Sequence, residues 1–285
     1  MAKGNLLLGT AKNSVGDVVM YRREGAQISR VRVRNVKNPK TDAQSFQRAI
    51  MAPIAKFYSP LSVVLERSFE GLSKAKSHNK FNQVNANLAR KNKWALPKGT
   101  GFFPLPYKLS QGTLQAVGVE FNEGDLNFIL SLKHSGETPT TVGELSTDFV
   151  TAGYKEGDVV TIIAVVLNRK VNSYFPVCLQ FEVNTTSTEL LSSLTVSNVS
   201  LSLSSDQDWA ITEVNDDIVA CAVIVSRFDG TMWRRSTQSL VVKDDIVTSV
   251  TADAAVAAAI ASYGQTAGDG NPLVYLDGDE LTDGE

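Results

Sequence analysis

The chain is poor in the residues that carry most enzyme chemistry. Its 285 residues include two histidines, His78 and His134, and two cysteines, Cys178 and Cys221. Two Cys in a chain of this length make no disulfide framework. Both stand in apolar runs, PVCLQF and VACAVIV, where Cys packs as a small hydrophobe. Buried free thiols are therefore expected; a bridge between neighbouring strands would need an oxidising compartment. The histidines lie far apart without a Cys nearby, which excludes a structural zinc site. Asp277, Asp279, Glu280 and Asp283 lack the glycine and ligand spacing of a calcium loop. There is no G-x-S-x-G elbow, and the Gly-rich KGTGFF lacks the Lys-Ser/Thr of a phosphate-binding loop. No cofactor, no metal and no enzymatic activity are expected. No window reaches the length of a membrane span. The opening MAKGNLLLGTAKNS is too short in apolar residues for a secretory signal core. The expectation is a chain made and folded in the cytoplasm, with no membrane partner.

What is present is a core and a split of charge. Hydrophobic residues make up 43% and charged residues 20%, enough apolar content for a globular interior. The net charge of −2 conceals 19 Lys and Arg against 5 Asp and Glu in residues 1–100, and 9 against 25 in residues 101–285. Such asymmetry points to a basic front that binds something anionic, or to halves that attract one another within or between copies.

The patterning predicts an α+β protein. A β-hairpin is expected over Val15–Arg34, its two Val/Ile/Tyr-rich strands joined by Glu24-Gly25. In the second strand Ile28, Arg30, Arg32 and Arg34 alternate with Ser29, Val31 and Val33. Thr41 and Gln44 stand at capping-box spacing before a helix to about Tyr58, which Pro53 should kink. Ser59-Pro60 predicts a second helix carrying Leu61, Val64, Leu65, Phe69 and Leu72, and Phe81, Val84 and Leu88 predict a third over about Lys80–Lys91. Three prolines and three glycines in residues 95–112 set the expected boundary. Residues 1–105 form a basic hairpin-plus-helices module, and 106–285 an acidic, mainly antiparallel β-sandwich-like domain. Its strands are expected at Leu114–Phe121, Leu126–Leu132, Val159–Asn168, Val177–Val183, Leu194–Leu203, Ile218–Phe228 and Ser239–Val242. One Ala-rich helix is expected over Ala252–Ser262, before a loose acidic tail.

The candidate site residues are the cations of the front: Arg22, Arg23, Arg30, Arg32, Arg34, Lys37, Lys40, Lys74, Lys76, Lys80, Arg90, Lys91 and Lys93, with Trp94 as a stacking residue. Alternate arginines on a strand stand roughly 6.6 Å apart, close to roughly 7 Å between alternate phosphates of one nucleic-acid strand. The plainer reading is a wet basic strand face and a soluble helix, or arginines that pair with a neighbouring subunit's acids. No RRM, zinc-finger or KH motif accompanies the cations. Trp209, Trp233 and Tyr174 are the aromatics on which a carbohydrate-binding surface would have to rest.

Gly16, Arg30, Asn38-Pro39, Thr41, Gln44, Arg48 and Phe57-Tyr58-Ser59-Pro60-Leu61 together resemble a family of unknown function seen in Bacteroidetes and their phages. The resemblance covers roughly residues 3–70 and is weaker over Ser226–Ser239. It implies a phage context and no activity. The leading expectation is a phage virion structural or assembly protein that self-associates or binds other virion proteins. The alternative is a nucleic-acid-binding protein without sequence specificity.

Overall fold

The computed structural model describes residues 13–15, 17–23, 26–32, 41–215 and 217–263. By its contacts the chain divides into two compact units, residues 1–39 and 40–285.

The first unit is a small antiparallel sheet. Strands β1 (Asn13–Val15), β2 (Val18–Arg23) and β3 (Ala26–Val31) lie in the order β1-β2-β3. The hairpin expected from the alternation is present as β2 and β3, paired from Val18↔Val31 to Arg23↔Ala26. β1 adds a third strand through Ser14↔Val19. The turn residues Glu24 and Gly25 lie outside the described residues, as do Val33 and Arg34.

The second unit begins with helices α1 (Asp42–Leu61) and α2 (Lys74–Lys91). Short strand β4 (Lys108–Ser110), β5 (Val119–Asn122) and β6 (Asn127–Lys133) precede helix α3 (Val142–Thr151). The long strands β7 (Val159–Asn168) and β8 (Ser173–Glu182) follow, then β9 (Val199–Leu203), β10 (Asp208–Glu213) and β11 (Ile218–Phe228). Short strands β12 (Trp233–Arg235), β13 (Gln238–Ser239) and β14 (Val241–Val242) lead to helices α4 (Asp244–Thr251) and α5 (Asp253–Ala261). One sheet has the order β5-β6-β10-β9. A second has β12-β11-β7-β8, with β14 also on β11. The fold is α+β.

The two sheets stack as expected of a sandwich, but the second sheet is covered on its other face as well. In β7, Val160, Ile162, Ala164 and Val166 enter the core between the sheets. Ile163 and Val165 enter a second core built with α1, α2 and α5. A strand buried on both faces has no polar side, which is why VVTIIAVVLN and IVACAVIVSRF read as continuous apolar runs. The register of β11 against β7 shifts between Ile218 and Ala220. That bulge lets Val219 and Ala220 both face the helical core, while Ile218 and Cys221 face the intersheet core.

The boundary expected at residues 105/106 therefore falls inside the second unit. The helices share one core with the sheet, and the Pro/Gly-rich stretch contributes Leu96, Leu105, Tyr107 and Leu109 to it. A hydrogen bond explains part of this. Pro53 lies inside α1, where proline frees the carbonyl four residues back, and the Leu96 N–H donates to that Ala49 carbonyl at 3.2 Å. α1 is thus continuous across Pro53. The helix expected from Pro60 is instead a set of turns over residues 62–67, although Leu65 and Phe69 still reach the core. Asn85, fully buried on α2, accepts from the Lys108 N–H at 2.7 Å and donates to the Lys108 carbonyl at 3.0 Å. One amide side chain thereby serves β4 as a strand partner would.

Both cysteines are free. They lie on β8 and β11, opposite Ile163 and Ala164 of the intervening β7. Two strand spacings come to roughly 9.6 Å, beyond the reach of a disulfide. Cys221 is buried, and burial pushes its thiol well up. Cys178 is half-buried, with its thiol raised for the same reason.

Candidate interaction surfaces

The candidate cations fall on two surfaces. On the small sheet, the Val19↔Arg30 and Tyr21↔Ile28 pairs place these four residues on one face. The Arg30 guanidinium lies 5.8 Å from the centre of the Tyr21 ring. Arg30, Val31 and Arg32 are exposed, Val31 at 73%. No residue of β1–β3 whose burial is described is buried. Arg22 and Arg23 are placed by their backbone on β2. Arg34, Lys37 and Lys40 lie outside the described residues.

The second surface is α2, KAKSHNKFNQVNANLARK, a helix without an acidic residue. Ser77, Phe81, Asn85 and Ala89, four residues apart, are buried. Lys76, Lys80, Arg90 and Lys91 fall on the opposite side, within roughly 100° of arc. They are not equally available. Lys76 and Lys91 are exposed, and Lys80 is half-buried. Lys74 pairs with Glu66 at 2.9 Å in an exposed contact, the kind that contributes little. Arg90 donates to Gln47 Oε1 at 2.8 Å and Asn87 Oδ1 at 3.2 Å, which pins it to α1. Lys93 lies 3.7 Å from Asp253.

Trp94 requires a correction. It is buried and packs edge-on to Tyr107 at 5.9 Å, so its indole is not offered to a base. Lys93 has a left-handed φ of 57° just past the helix end, and the Trp94 N–H returns to the Ala89 carbonyl at 2.9 Å. That turn directs the ring inward. Trp209 is also core, fully buried. Tyr174 is half-buried against Phe103, which leaves Trp233 as the exposed member of the three proposed carbohydrate aromatics.

Elsewhere several charged side chains are tied to one another. Asp158, fully buried, receives both the Nε and Nη2 donors of Arg227 at 2.6 Å. Arg234 bridges Asp229, at 2.7 Å, and Glu70. The Asp229 carboxyl is held down to about 2, first by the Met232 N–H and then by Arg234 and the Thr231 N–H. Burial opposes ionisation of Glu70, but Arg234 and the Thr113 N–H outweigh it and lower its carboxyl.

His134 joins a polar knot. Its Nδ1 is 2.7 Å from Asp148 Oδ2, its Nε2 is 2.8 Å from the Glu137 carbonyl, and the Trp209 indole N–H donates to the same Asp148 oxygen at 2.7 Å. Burial alone would lower the imidazole; the bonds to Asp148 and Glu137 raise it above its ordinary value. Both ring nitrogens face acceptors, so the ring ties the loop after β6 to α3 and has no free lone pair for a substrate.

A feature that sequence reasoning missed lies at the end of the four-stranded sheet. β5 is the terminal strand there. Beside it a cleft of about 640 Å³ is lined by Val119, Phe121, Leu126, Val241 and Val242, and by Glu120, Glu123, Asp244 and Asp245. All four carboxylates are on exposed residues. Lys243 lies over the Phe121 ring at 4.7 Å. The two acidic pairs are far apart in sequence, so only the topology brings them together.

Residues 9–110 match the model of a family of unknown function (DUF6266). The N-terminal resemblance is thus shown, over a longer stretch than the motifs alone suggested. The match takes in the small sheet and both basic helices and ends with β4. No curated protein and no solved structure matches the chain. No helix among the described residues is long and apolar enough to cross a membrane.

Proposed function

We propose that the chain is a structural or assembly protein of a phage virion, made in the host cytoplasm, that works through contacts between its basic front and acidic surfaces of its partners. The partners are further copies of itself or other virion proteins. The observation that carries this reading is the segregation of exposed charge. Arg30, Arg32, Lys76 and Lys91 are exposed on elements almost free of acid, while Glu120, Glu123, Asp244 and Asp245 gather at one edge of the β-rich part. Opposite patches on one molecule make a heterologous contact, which builds rings if it closes and filaments if it does not. The matched N-terminal family is one of unknown function and assigns no reaction. Light scattering on a sizing column at low salt, with absorbance at 260 and 280 nm, tests it. Discrete oligomers free of nucleic acid are expected, alone or with virion components; a persistent monomer under both conditions contradicts the reading.

A second reading, nucleic-acid binding by the front, is favoured by one observation. The open face of α2 carries Lys76, Lys80 and Lys91 beside Asn79, Gln83 and Asn87, with no carboxylate. Since Trp94 is buried, such binding would rest on phosphate contacts and fall steeply with salt. Co-purified nucleic acid that sheds as salt rises supports it; salt-independent binding contradicts it.

A further inference from the structure

We propose that the small N-terminal sheet of one copy docks at the acidic cleft beside β5 of a second copy. The inference rests on the assembly reading and names its interface. Three observations meet here. The sheet has no described buried residue and exposes Tyr21 on the face of Arg30, and Val31 on the other. A two- or three-stranded ribbon with neither face covered has little apolar burial to stabilise it, so a partner surface is where it would gain order. The cleft supplies the complementary chemistry: an apolar floor from Val119, Phe121 and Val242, rimmed by Glu120, Glu123, Asp244 and Asp245. It also borders β5, whose outer side has no strand partner among the described residues, and an open sheet edge is a standing template for an added strand.

The size and charge fit. A space of about 640 Å³ takes several side chains, which suits Tyr21 and Ile28 with the arginine beside them on the same face. Arginine forks match carboxylates two bonds at a time. Complementary charge at the rim steers the encounter and fixes the register, while the apolar floor provides the burial. Because donor and acceptor surfaces differ, a pair of copies keeps one donor and one acceptor free.

That asymmetry gives the test. Full-length chains carrying Arg30→Glu with Arg32→Glu lose the donor surface, and chains carrying Glu120→Lys with Glu123→Lys lose the acceptor. All four positions are exposed, and unchanged circular dichroism and melting confirm that both variants fold. By mass photometry and sedimentation at low salt, the unaltered chain is expected to form higher oligomers. Each variant alone should stay monomeric, its association weakened about tenfold or more. An equimolar mixture should regain oligomers in which the two variants alternate, since the intact donor meets the intact acceptor and the reversed donor meets the reversed acceptor. A chain with both charge reversals should regain oligomers by itself. If either variant associates as the unaltered chain does, the pairing is overturned while the assembly reading stands. A mixture that stays monomeric overturns it too. An unaltered chain that is monomeric at every concentration overturns self-docking, and only a failure to bind virion components removes the assembly reading as well.

Discussion

The two units of this chain differ most in what covers their strands. β7 and β11 are buried on both faces, by the second sheet on one side and by α1, α2 and α5 on the other. The strands β1–β3 have no described buried residue. The same backbone ladder thus exists in two settings, one backed by a packed core and one without a buried side chain among its described residues. Since most stability derives from burial rather than from the ladder, the body should tolerate little and the small sheet much. The small sheet's sequence is free to serve a partner.

Substitutions can break or sharpen this contrast. The largest effect is expected in the intersheet core. Trp209 is fully buried and donates to Asp148, so Trp209→Ala should cost about 3–5 kcal/mol in urea unfolding. Asp158→Ala leaves Arg227 without its two-point partner and should cost about 2–3 kcal/mol. Asn85→Ala strands the N–H and carbonyl of Lys108 beneath α2. About 2 kcal/mol is expected, with exchange of the β4 amides quickened first. By contrast, Arg32→Ala on the small sheet should change monomer stability by less than about 0.5 kcal/mol. A loss comparable to that of Trp209→Ala would show that the small sheet is held as firmly as the body.

The knot around His134 adds a pH dependence to the body alone. Its folded-state value is raised above the ordinary one, so its contribution is fully present below the unfolded value of about 6.5. It is lost as pH rises through the folded value. Unfolding of the unaltered chain and of His134→Gln, compared between about pH 5.5 and pH 8.5, should show the gap narrowing toward alkaline pH. A gap that widens would refute the imidazolium assignment.

The strands most legible in the sequence were the most deeply buried. Val159–Asn168 and Ile218–Phe228 match their expected ends, because a run of apolar residues bounded by turns leaves little choice. The cap at Thr41 is also present, its Oγ1 accepting from the Gln44 N–H at 3.3 Å. Among the elements missed, α3 and β10 show different reasons. α3 is announced by Thr141 and Glu144, which form a capping box, a signal present in the sequence at S/T-x-x-E spacing. β10, DWAITE, is six residues long with acidic ends, and only its place between β6 and β9 makes it a strand. The Pro/Gly-rich stretch read as a linker because proline breaks regular structure; what makes it core is a long-range bond, Leu96 to Ala49. Of the candidate site, the alternation placed Arg30 on one face of its strand, but exposure does not alternate with it, since Val31 is exposed as well. The burial of Trp94 was not legible either, since it depends on a left-handed residue at a helix end.

The central claim is that a neighbouring copy covers the small sheet, and amide hydrogen exchange on the full chain reads this directly. At low salt, in the associated state, amides of residues 18–31 should be protected. At roughly 0.5 M salt, where exposed charges are screened beyond about 4–5 Å, that protection should be lost while β7 and β11 stay protected. Equal and rapid exchange of residues 18–31 in both states would contradict the account.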